Sequence, residues 1–269
     1  EMERLIAERI APVAGIETVP LMEAHGRVLA ADVVAPSSLP PFDNSAVDGY
    51  AVRHADLDPQ RETTLSVAAR AMAGHAAGTA VAAGQAVRIF TGAPMPEGAD
   101  TVFMQEDVRA EGDRVVVPSG LPLGANRRLA GEDLRAGAVA LPQGRILDAQ
   151  HIALAAAVGL TQLAVRRRLR VAVFSTGDEV VEPGEARGGA AIFDANRYLL
   201  RELLGRFGCA ISDLGILRDD PDALAPALQR AAPDHDLVLT SGGVSTGEAD
   251  HVREAVERVG TLVFWRIGI

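Results

Sequence analysis

The 269-residue chain combines 48% apolar residues with a formal charge of -10 and ten aromatics: one Trp, two Tyr and seven Phe. It is too apolar for disorder and long enough for two domains or more, and an acidic balance with so few stacking rings argues against a nucleic-acid binder. All of the positive charge is arginine, so lysine chemistry of the Schiff-base or P-loop kind is excluded, and the single Cys209 lacks a partner for an internal disulfide, in keeping with a reducing compartment.

Residues 1–10 read as an amphipathic helix rather than a signal peptide, and no run of about 18 apolar residues is free of charge. The expectation is a soluble, cytoplasmic protein with no membrane partner. A second helical stretch is expected over residues 21–30. The segment PPFDNSAVDGYAVR, residues 40–53, is too irregular for a helix. Pro40 and Pro41 stiffen its entry and remove two backbone donors, Phe42 reads as an apolar anchor, and Asp43, Asn44 and Ser45 suit local side-chain to backbone bonds. Asp48 and Gly49 form a turn dipeptide before the strand-like Tyr50, Ala51 and Val52. Two readings stand: an Asx-rich loop whose acids satisfy its own N–H groups, or a rigid loop that presents the Asp48 carboxylate.

β-prone runs at residues 65–70, 86–90, 101–109 and 114–117, punctuated by Gly and Pro, read as one or two small β-rich domains. Residues 71–83, biased to Ala and Gly, read as a mobile or solvent-facing loop. TGAPMPEG (residues 91–98) is a Pro-stiffened loop, and NRRLAGED (residues 126–133) places Arg127 and Arg128 ahead of an acidic pair. The two arginines suit either a solvated turn or, facing a cleft, bidentate donation to phosphate or an oxyanion such as molybdate. Residues 148–160 read as a helix ended by Gly159, and VRRRLR (residues 165–170) marks the passage into the next domain.

From about residue 168, apolar runs alternate with helical patterns: strands over 169–174, 210–217, 236–240 and 261–267, and helices over 194–207, 221–231 and 248–259. Strands joined by helices of this length are parallel, so this is an open, mostly parallel α/β sheet domain, with ligands expected beyond the carboxyl ends of its strands. The chain thus divides into a helical or extended segment (1–44), a β-rich domain (45–140), a helical connector packing with the first segment (141–167) and the α/β domain (168–269).

Two strand ends carry the chemistry. Ser175, Thr176, Gly177, Asp178 and Glu179 offer hydroxyls and amides to an anion beside two carboxylates. Ser241, Gly242, Gly243, Ser245 and Gly247 allow close backbone approach to a bulky anionic ligand, near a helix start. A Gly-rich turn after a strand is often only a tight connection, but two such loops in one sheet favour a ligand site. Neither is a Walker A or a GxGxxG motif. Asp220 before Pro221 reads as a helix cap, which leaves Asp219 freer to face the same crevice. Asp178, Glu179, Asp219 and Asp250 can gather around a hard divalent cation, Mg²⁺ first. The six histidines show no zinc spacing, and Cys209 reads as a small buried hydrophobe.

The segments PPFDNSAVDGYAVR, RIFTGAPMPEGADTVFMQED, RRLAGEDLRAGAVALPQG, LRVAVFSTGDEVVEPG, IFDANRYLLRELLGRFGC and TSGGVSTGEADHVREAV occur in this order. Together they resemble the molybdopterin molybdenumtransferases, the family that includes the E domain of gephyrin. The resemblance implies a late step of molybdenum cofactor synthesis, in which adenylated molybdopterin binds, molybdate enters at the dithiolene sulfurs and AMP leaves, with Mg²⁺ assisting. Carried onto this sequence, it implies Asp48, Asp133, Glu179, Asp219 and Asp250 as required acids, with Glu179 and Asp250 holding the metal. Thr91 and Arg128 become substrate or molybdate contacts, and residues 175–179 and 241–247 cradle nucleotide and pterin.

The resemblance further implies an elongated homodimer in which the α/β domain of one subunit faces the β-rich domains of the other. The molybdopterin adenylyltransferase and acceptor molybdoenzymes are the implied protein partners. In the family the chain continues past the last strand with a basic, proline-containing motif, a Gly/Pro-rich loop and a small β domain, so the sequence ending at Ile269 is expected to be C-terminally truncated, with an incomplete α/β domain. Two alternatives keep the fold: an adenylyltransferase that activates molybdopterin with ATP, and a non-catalytic scaffold. The long first half argues against the former, and the presence of all five acids argues against the latter. Tungstate matches molybdate in size and charge.

Overall fold

The computed structural model describes residues 15–75, 78, 80–243 and 251–262. The expected helix over residues 1–10 and most of the strand over 261–267 lie outside them. In chain order, β1 (Ile16–Pro20), β2 (Val33–Val34), β3 (Asn44–Ser45), β4 (Gly49–Val52) and β5 (Thr63–Ala71) are followed by β6 (Gln85–Ile89) and β7 (Thr101–Met104). Next come β8 (Arg109–Glu111), β9 (Arg114–Val117), β10 (Arg127–Arg128), β11 (Val139–Leu141), α1 (Ala149–Ala157) and β12 (Gln162–Arg166). The last part holds β13 (Arg170–Thr176), β14 (Val180–Val181), β15 (Ile192–Phe193), α2 (Asn196–Arg206), β16 (Ala210–Leu217), α3 (Pro221–Ala231), β17 (Leu237–Ser241) and α4 (His251–Val259).

These elements form two compact units. One comprises the chain up to Ala31, Gln143–Ala149 and everything from Gln162 onward; the other comprises Asp32–Pro142 and Gln150–Thr161.

The second unit is built on a six-stranded mixed sheet in the order β7-β4-β6-β5-β9-β8, with β5 and β6 parallel and the other pairs antiparallel. Apolar residues cover both faces of its central strands: Ala51, Val87 and Val102 join one core cluster, while their neighbours Val52, Ala86 and Phe103 join another. Two-sided burial accounts for near-continuous apolar runs such as TVFM rather than strict alternation. Gly49 is required by a close approach, since a Cβ there would lie 1.8 Å from the Phe103 carbonyl oxygen.

Three expectations change here. The run over residues 101–109 breaks into β7, a 3-10 turn at Gln105–Asp107 and β8, because three polar residues follow Met104 and the Gln105 N–H turns to the Asp48 carbonyl at 3.0 Å. Within the Ala- and Gly-biased stretch over residues 71–83, Val81 is buried in a core cluster and its N–H meets the Glu97 carbonyl at 2.8 Å, so that end is anchored. Phe42 is 44% exposed rather than docked, whereas Asn44 and Ser45 make the expected local bonds, to the carbonyls of Phe42 and Val47.

In the first unit the expected helix over residues 21–30 is only a 3-10 turn at Leu21–Glu23. Gly26 adopts a left-handed φ of 71°, and Val28 and Leu29 instead bridge Ile146 and Val165, which draws this segment against the β1-β12 ribbon. The α/β part of this unit has β13 in the middle, with β16 on one side and β17 on the other, both parallel to it. β13 is buried from Val171 to Thr176. Phe174 packs against Leu224 and Ala225 of α3 and Val252 and Ala255 of α4. Asp220 caps α3 by accepting from the Asp222 N–H at 3.0 Å, ahead of Pro221 at the first helical position.

The helices end as their glycines suggest. At the end of α1 the Leu160 N–H reaches the Ala155 carbonyl (3.0 Å) and the Gly159 N–H the Ala156 carbonyl (2.9 Å), with Gly159 at φ 87°. Gly208 and Cys209 repeat this pattern after α2. Both are Schellman closures. Cys209 is half-buried there, and burial pushes its thiol up.

The arginines of VRRRLR close the amino end of the sheet. Arg167 grips Asp236 bidentately at 2.9 and 3.0 Å, and the Arg170 N–H donates to the same carboxylate at 2.8 Å. These bonds, Arg167 foremost, hold the Asp236 carboxyl well below the usual carboxylate range.

Candidate functional site

The chain passes from β13 to β16 on one side and then crosses to β17 on the other, so the strand order reverses at β13, and the crevice at its carboxyl end is a topological switch point of the kind where α/β sheets bind ligands. A cleft of about 270 Å³ opens there, lined by Ser175, Thr176, Glu179, Asn196, Ser241 and Gly242 among others. The loop glycines are dictated by crowding. A Cβ on Gly242 (φ 94°) would lie 2.1 Å from the Thr176 carbonyl oxygen, and one on Gly243 (φ 71°) 2.2 Å from Val252 Cγ2. At Gly177 the constraint is the backbone, whose φ of 141° is rarely adopted by L side chains, since the nearest neighbour of a Cβ there is the movable Glu179 carboxylate. The SGG turn after β17 is therefore pressed onto the end of β13.

The hydroxyls of β13 are oriented by carboxylates. Ser175 Oγ donates to Asp194 Oδ1 at 3.0 Å, and Thr176 Oγ1 donates to Asp219 Oδ1 at 3.4 Å. Asn196 Nδ2 reaches Ser241 Oγ at 3.0 Å, which links the start of α2 to the end of β17. Asp194 also accepts from the Arg197 N–H (3.1 Å) and Nε (2.8 Å). Arg197 bonds Asp213 and Glu182 as well, and Glu182 accepts from the Tyr198 hydroxyl at 2.6 Å. The side chains of Arg197 and Asp194 are 4% and 2% exposed, so this is a buried ion pair. Burial works against the Arg197 charge, but its bonds to Asp194, Asp213 and Glu182 outweigh that and raise its pKa further above its ordinary value. For Asp213 burial likewise opposes ionisation, and the Gly215 N–H and Arg197 reverse it, holding the carboxyl low.

Of the residues singled out in this half, the structure gathers Ser175, Thr176, Glu179, Ser241 and Gly242 on the cleft, with Asp219 one hydrogen bond away. Asp178 is exposed. Ser245, Gly247 and Asp250 lie outside the described residues. Among the described residues no three His, Cys, Asp or Glu side chains converge to hold a metal. The donors present, the Glu179 carboxylate and serine and threonine hydroxyls, are hard oxygens of the kind that suit Mg²⁺, an ion that keeps several waters and takes few protein ligands.

The other unit carries a second constellation, made where three of the quoted motifs meet. β3 pairs with β10, and its other flank takes the TGAPMP loop: Asn44 bridges Pro94, the Gly92 N–H donates to the Ser45 carbonyl (2.8 Å), and the Met95 N–H to the Asp43 carbonyl (2.9 Å). Asp43 joins all three segments, because its carboxylate also accepts from Arg127 Nε (3.1 Å) and the Ala130 N–H (2.7 Å). Arg127 first, then that N–H, holds its carboxyl below the usual range.

Asp48 Oδ1 accepts both from the Thr91 N–H (2.8 Å) and from the Thr91 hydroxyl (2.7 Å), which lower its pKa. Arg128 donates through Nε to Glu132 and through Nη2 to Asp133 at 2.6 Å. Thus Asp48 stands with Thr91, and Arg128 with Asp133. The two arginines of β10 differ in their partners: Arg127 ties to Asp43, whereas Arg128, partly exposed, pairs with Glu132 and Asp133.

Sequence reasoning missed Asp43, Asp194 and Arg197 as organising residues. Asp194 carried a readable signal, an Asp just ahead of a helix and three residues before the N–H that it accepts. Arg197 had none, since an arginine in a helical pattern reads as surface.

The comparisons with known proteins bear on both units. Residues 1–159 match the model described as MoeA N-terminal region (domain I and II), and residues 172–269 match a probable molybdopterin binding domain. A molybdopterin molybdenumtransferase of Haemophilus influenzae is 43% identical over 254 residues, covering 94% of this chain and 62% of that protein. One from Synechococcus elongatus is 39% identical, covering 100% of this chain and 68% of the relative. The crystal structure of a molybdopterin biosynthesis MoeA protein from Pyrococcus horikoshii superposes with a TM-score of 0.82 at 36% identity, over 89% of this chain and 64% of that one. The chain therefore spans about six tenths of the length of such relatives.

Proposed function

Since this chain belongs to the molybdopterin molybdenumtransferase family, we propose that it is the part of a molybdenumtransferase that inserts molybdate into adenylated molybdopterin with release of AMP. The observation that carries this reading is the cleft at the switch point, where two strand-end loops crowd together and present oriented hydroxyls and close backbone to a bulky anionic ligand. At about 270 Å³ it falls just below the range of roughly 300–1,000 Å³ for whole small-molecule sites, which suits one end of an extended nucleotide-pterin ligand.

The residues have separable tasks. Ser175, Thr176, Gly177, Asp178, Ser241, Gly242, Gly243, Ser245 and Gly247 cradle the nucleotide and pterin, their hydroxyls and backbone N–H groups facing oxygens and the Asp178 carboxylate accepting from N–H donors, with Asp219 orienting the Thr176 hydroxyl. Asp48 with Thr91, and Arg128 with Asp133, act on the oxyanion, where fixed donors and carboxylates position the entering metal and its departing oxygens. Glu179 and Asp250 would hold Mg²⁺. That ion supplies charge neutralisation when bound, while the protein's own groups orient the reacting partners. In this reading the working molecule is a cytoplasmic homodimer that exchanges intermediates with the adenylyltransferase and acceptor molybdoenzymes.

The test is AMP release from adenylated molybdopterin by the full-length protein, with molybdate present or withheld. Molybdate-dependent release that is lost in Glu179→Gln and Asp48→Asn is the expected result. Adenylate formation from ATP and molybdopterin, with no molybdate-dependent release, would refute it.

A further inference from the structure

Arg88 has no part in the assignment above, yet it touches the chain beside both members of the Asp48–Thr91 pair. It sits opposite Tyr50 in the β4-β6 register, with its guanidinium carbon 5.1 Å from the Tyr50 ring centroid and 4.8 Å from that of Phe90. Phe90 immediately precedes Thr91. Arg88 Nη1 donates to the carbonyl of Gly49, the residue after Asp48, at 2.8 Å, and Nη2 donates to Gln105 Oε1. Gln105 in turn gives its backbone N–H to the Asp48 carbonyl at 3.0 Å. The carbonyls of residues 48 and 49 are thus both held through Arg88, one directly and one by way of Gln105. The contact between Gly49 and the Phe103 carbonyl leaves the segment no room to shift toward β7.

We propose that Arg88 is the positioning residue that locks the Asp48–Thr91 pair, so that Oδ1 stays on Thr91 and Oδ2 is aimed at the substrate. This rests on the reading of Asp48 as a substrate contact. Among the described residues nothing hydrogen-bonds Oδ2. Only arginine combines the parts required: a planar fork that reaches two acceptors in different directions and a flat face that lies against two rings. A lysine can keep the charge near the rings but cannot make both bonds. The positive charge also adds to the forces that keep the Asp48 carboxyl low, after the two Thr91 bonds.

The test uses the full-length protein and its variants Arg88→Met, Arg88→Lys, Gln105→Leu and Asp48→Asn. It reads kcat and KM for adenylated molybdopterin together with the NMR titration of the Asp48 carboxyl carbon. Arg88→Met is expected to lower kcat about 10- to 100-fold, the scale on which small misplacements act. KM should stay within about twofold, and the Asp48 titration should move up toward the ordinary carboxylate range. Arg88→Lys should recover most of the titration but not kcat, a split that a merely structural role would not produce. Gln105→Leu removes one arm of the hold and serves if Arg88→Met does not fold. Wild-type kcat and titration in Arg88→Met or Gln105→Leu, with Asp48→Asn inactive, would overturn the role of Arg88 alone. Full turnover in Asp48→Asn would overturn the reading of Asp48 and this inference with it.

Discussion

Replacing Arg197 by leucine should be the most damaging single change in the α/β part. The guanidinium serves Asp194, Asp213 and Glu182, but the three do not lose equally. Asp213 keeps Arg201 at 2.9 Å and the Gly215 N–H at 2.9 Å, and Glu182, 37% exposed, keeps the Tyr198 hydroxyl. Asp194 is 2% exposed and retains only the Ser175 hydroxyl and the residue-197 N–H, so an uncompensated buried charge is left there. Breaking such a pair costs about 3–5 kcal/mol. At about 2–4 °C per kcal/mol for a unit of this size, that lowers Tm by roughly 6–20 °C. Arg201→Leu is the control: it shares Asp213 but is 44% exposed, so its loss should stay below about 1 kcal/mol. Urea unfolding followed by far-UV circular dichroism compares the two. The folded-state pKa of Asp213 is depressed, so its contribution is present above the ordinary carboxylate pKa and is lost as pH falls through the folded value. The gap between wild type and Arg197→Leu should therefore narrow below about pH 4. Equal losses in the two variants, or a gap that widens with acid, would refute the reasoning.

Gly242→Ala sets a Cβ 2.1 Å from the Thr176 carbonyl in a left-handed backbone. It should cost about 1–3 kcal/mol and weaken AMP binding by at least about tenfold in calorimetry; wild-type affinity would show that the cleft is not the nucleotide site. Asp236→Asn removes the carboxylate gripped by Arg167. Because that carboxyl is held low, wild type should lose urea stability more steeply than the variant from about pH 4 to pH 2, and parallel curves would count against the ion pair. Asp43→Ala removes the carboxylate that holds Arg127 and the Ala130 N–H but keeps the backbone carbonyl that accepts from Met95, and should cost about 1–2 kcal/mol. Amide exchange should rise around Ala130 and Arg127 while Met95 stays protected; unchanged exchange at Ala130 would mean that the carboxylate does not hold that loop.

The α/β rhythm was legible because each strand there is a short apolar run bounded by a turn and some helix ends announce themselves chemically, Asp220 with Pro221 at the start of α3 and Gly208 at the end of α2. The helix expected at 21–30 failed because Gly26 takes a left-handed φ and Val28 and Leu29 make isolated bridges to Ile146 and Val165, so the buried Ala24 (0% exposed) and Leu29 (1%) serve a folded-back segment instead of a helix face. The candidate loops could be picked out because hydroxyls, carboxylates and glycines outside regular structure have few packing uses. What they do to one another was hidden. The Asp43–Arg127 tie spans 84 positions and the Ser175–Asp194 bond 19, and no local pattern encodes a contact set by tertiary folding.

The polar groups of both constellations are already engaged within the chain: Thr91 with Asp48, Arg128 with Glu132 and Asp133, Ser175 with Asp194, Thr176 with Asp219, Asn196 with Ser241. A ligand that takes a bond from one of these engaged groups must displace or share an old one, so the net gain at each such contact is small. On the proposed reading of the switch-point cleft, a ligand large enough to replace several of these bonds in one event gains most, which makes molecular size part of what that cleft would select.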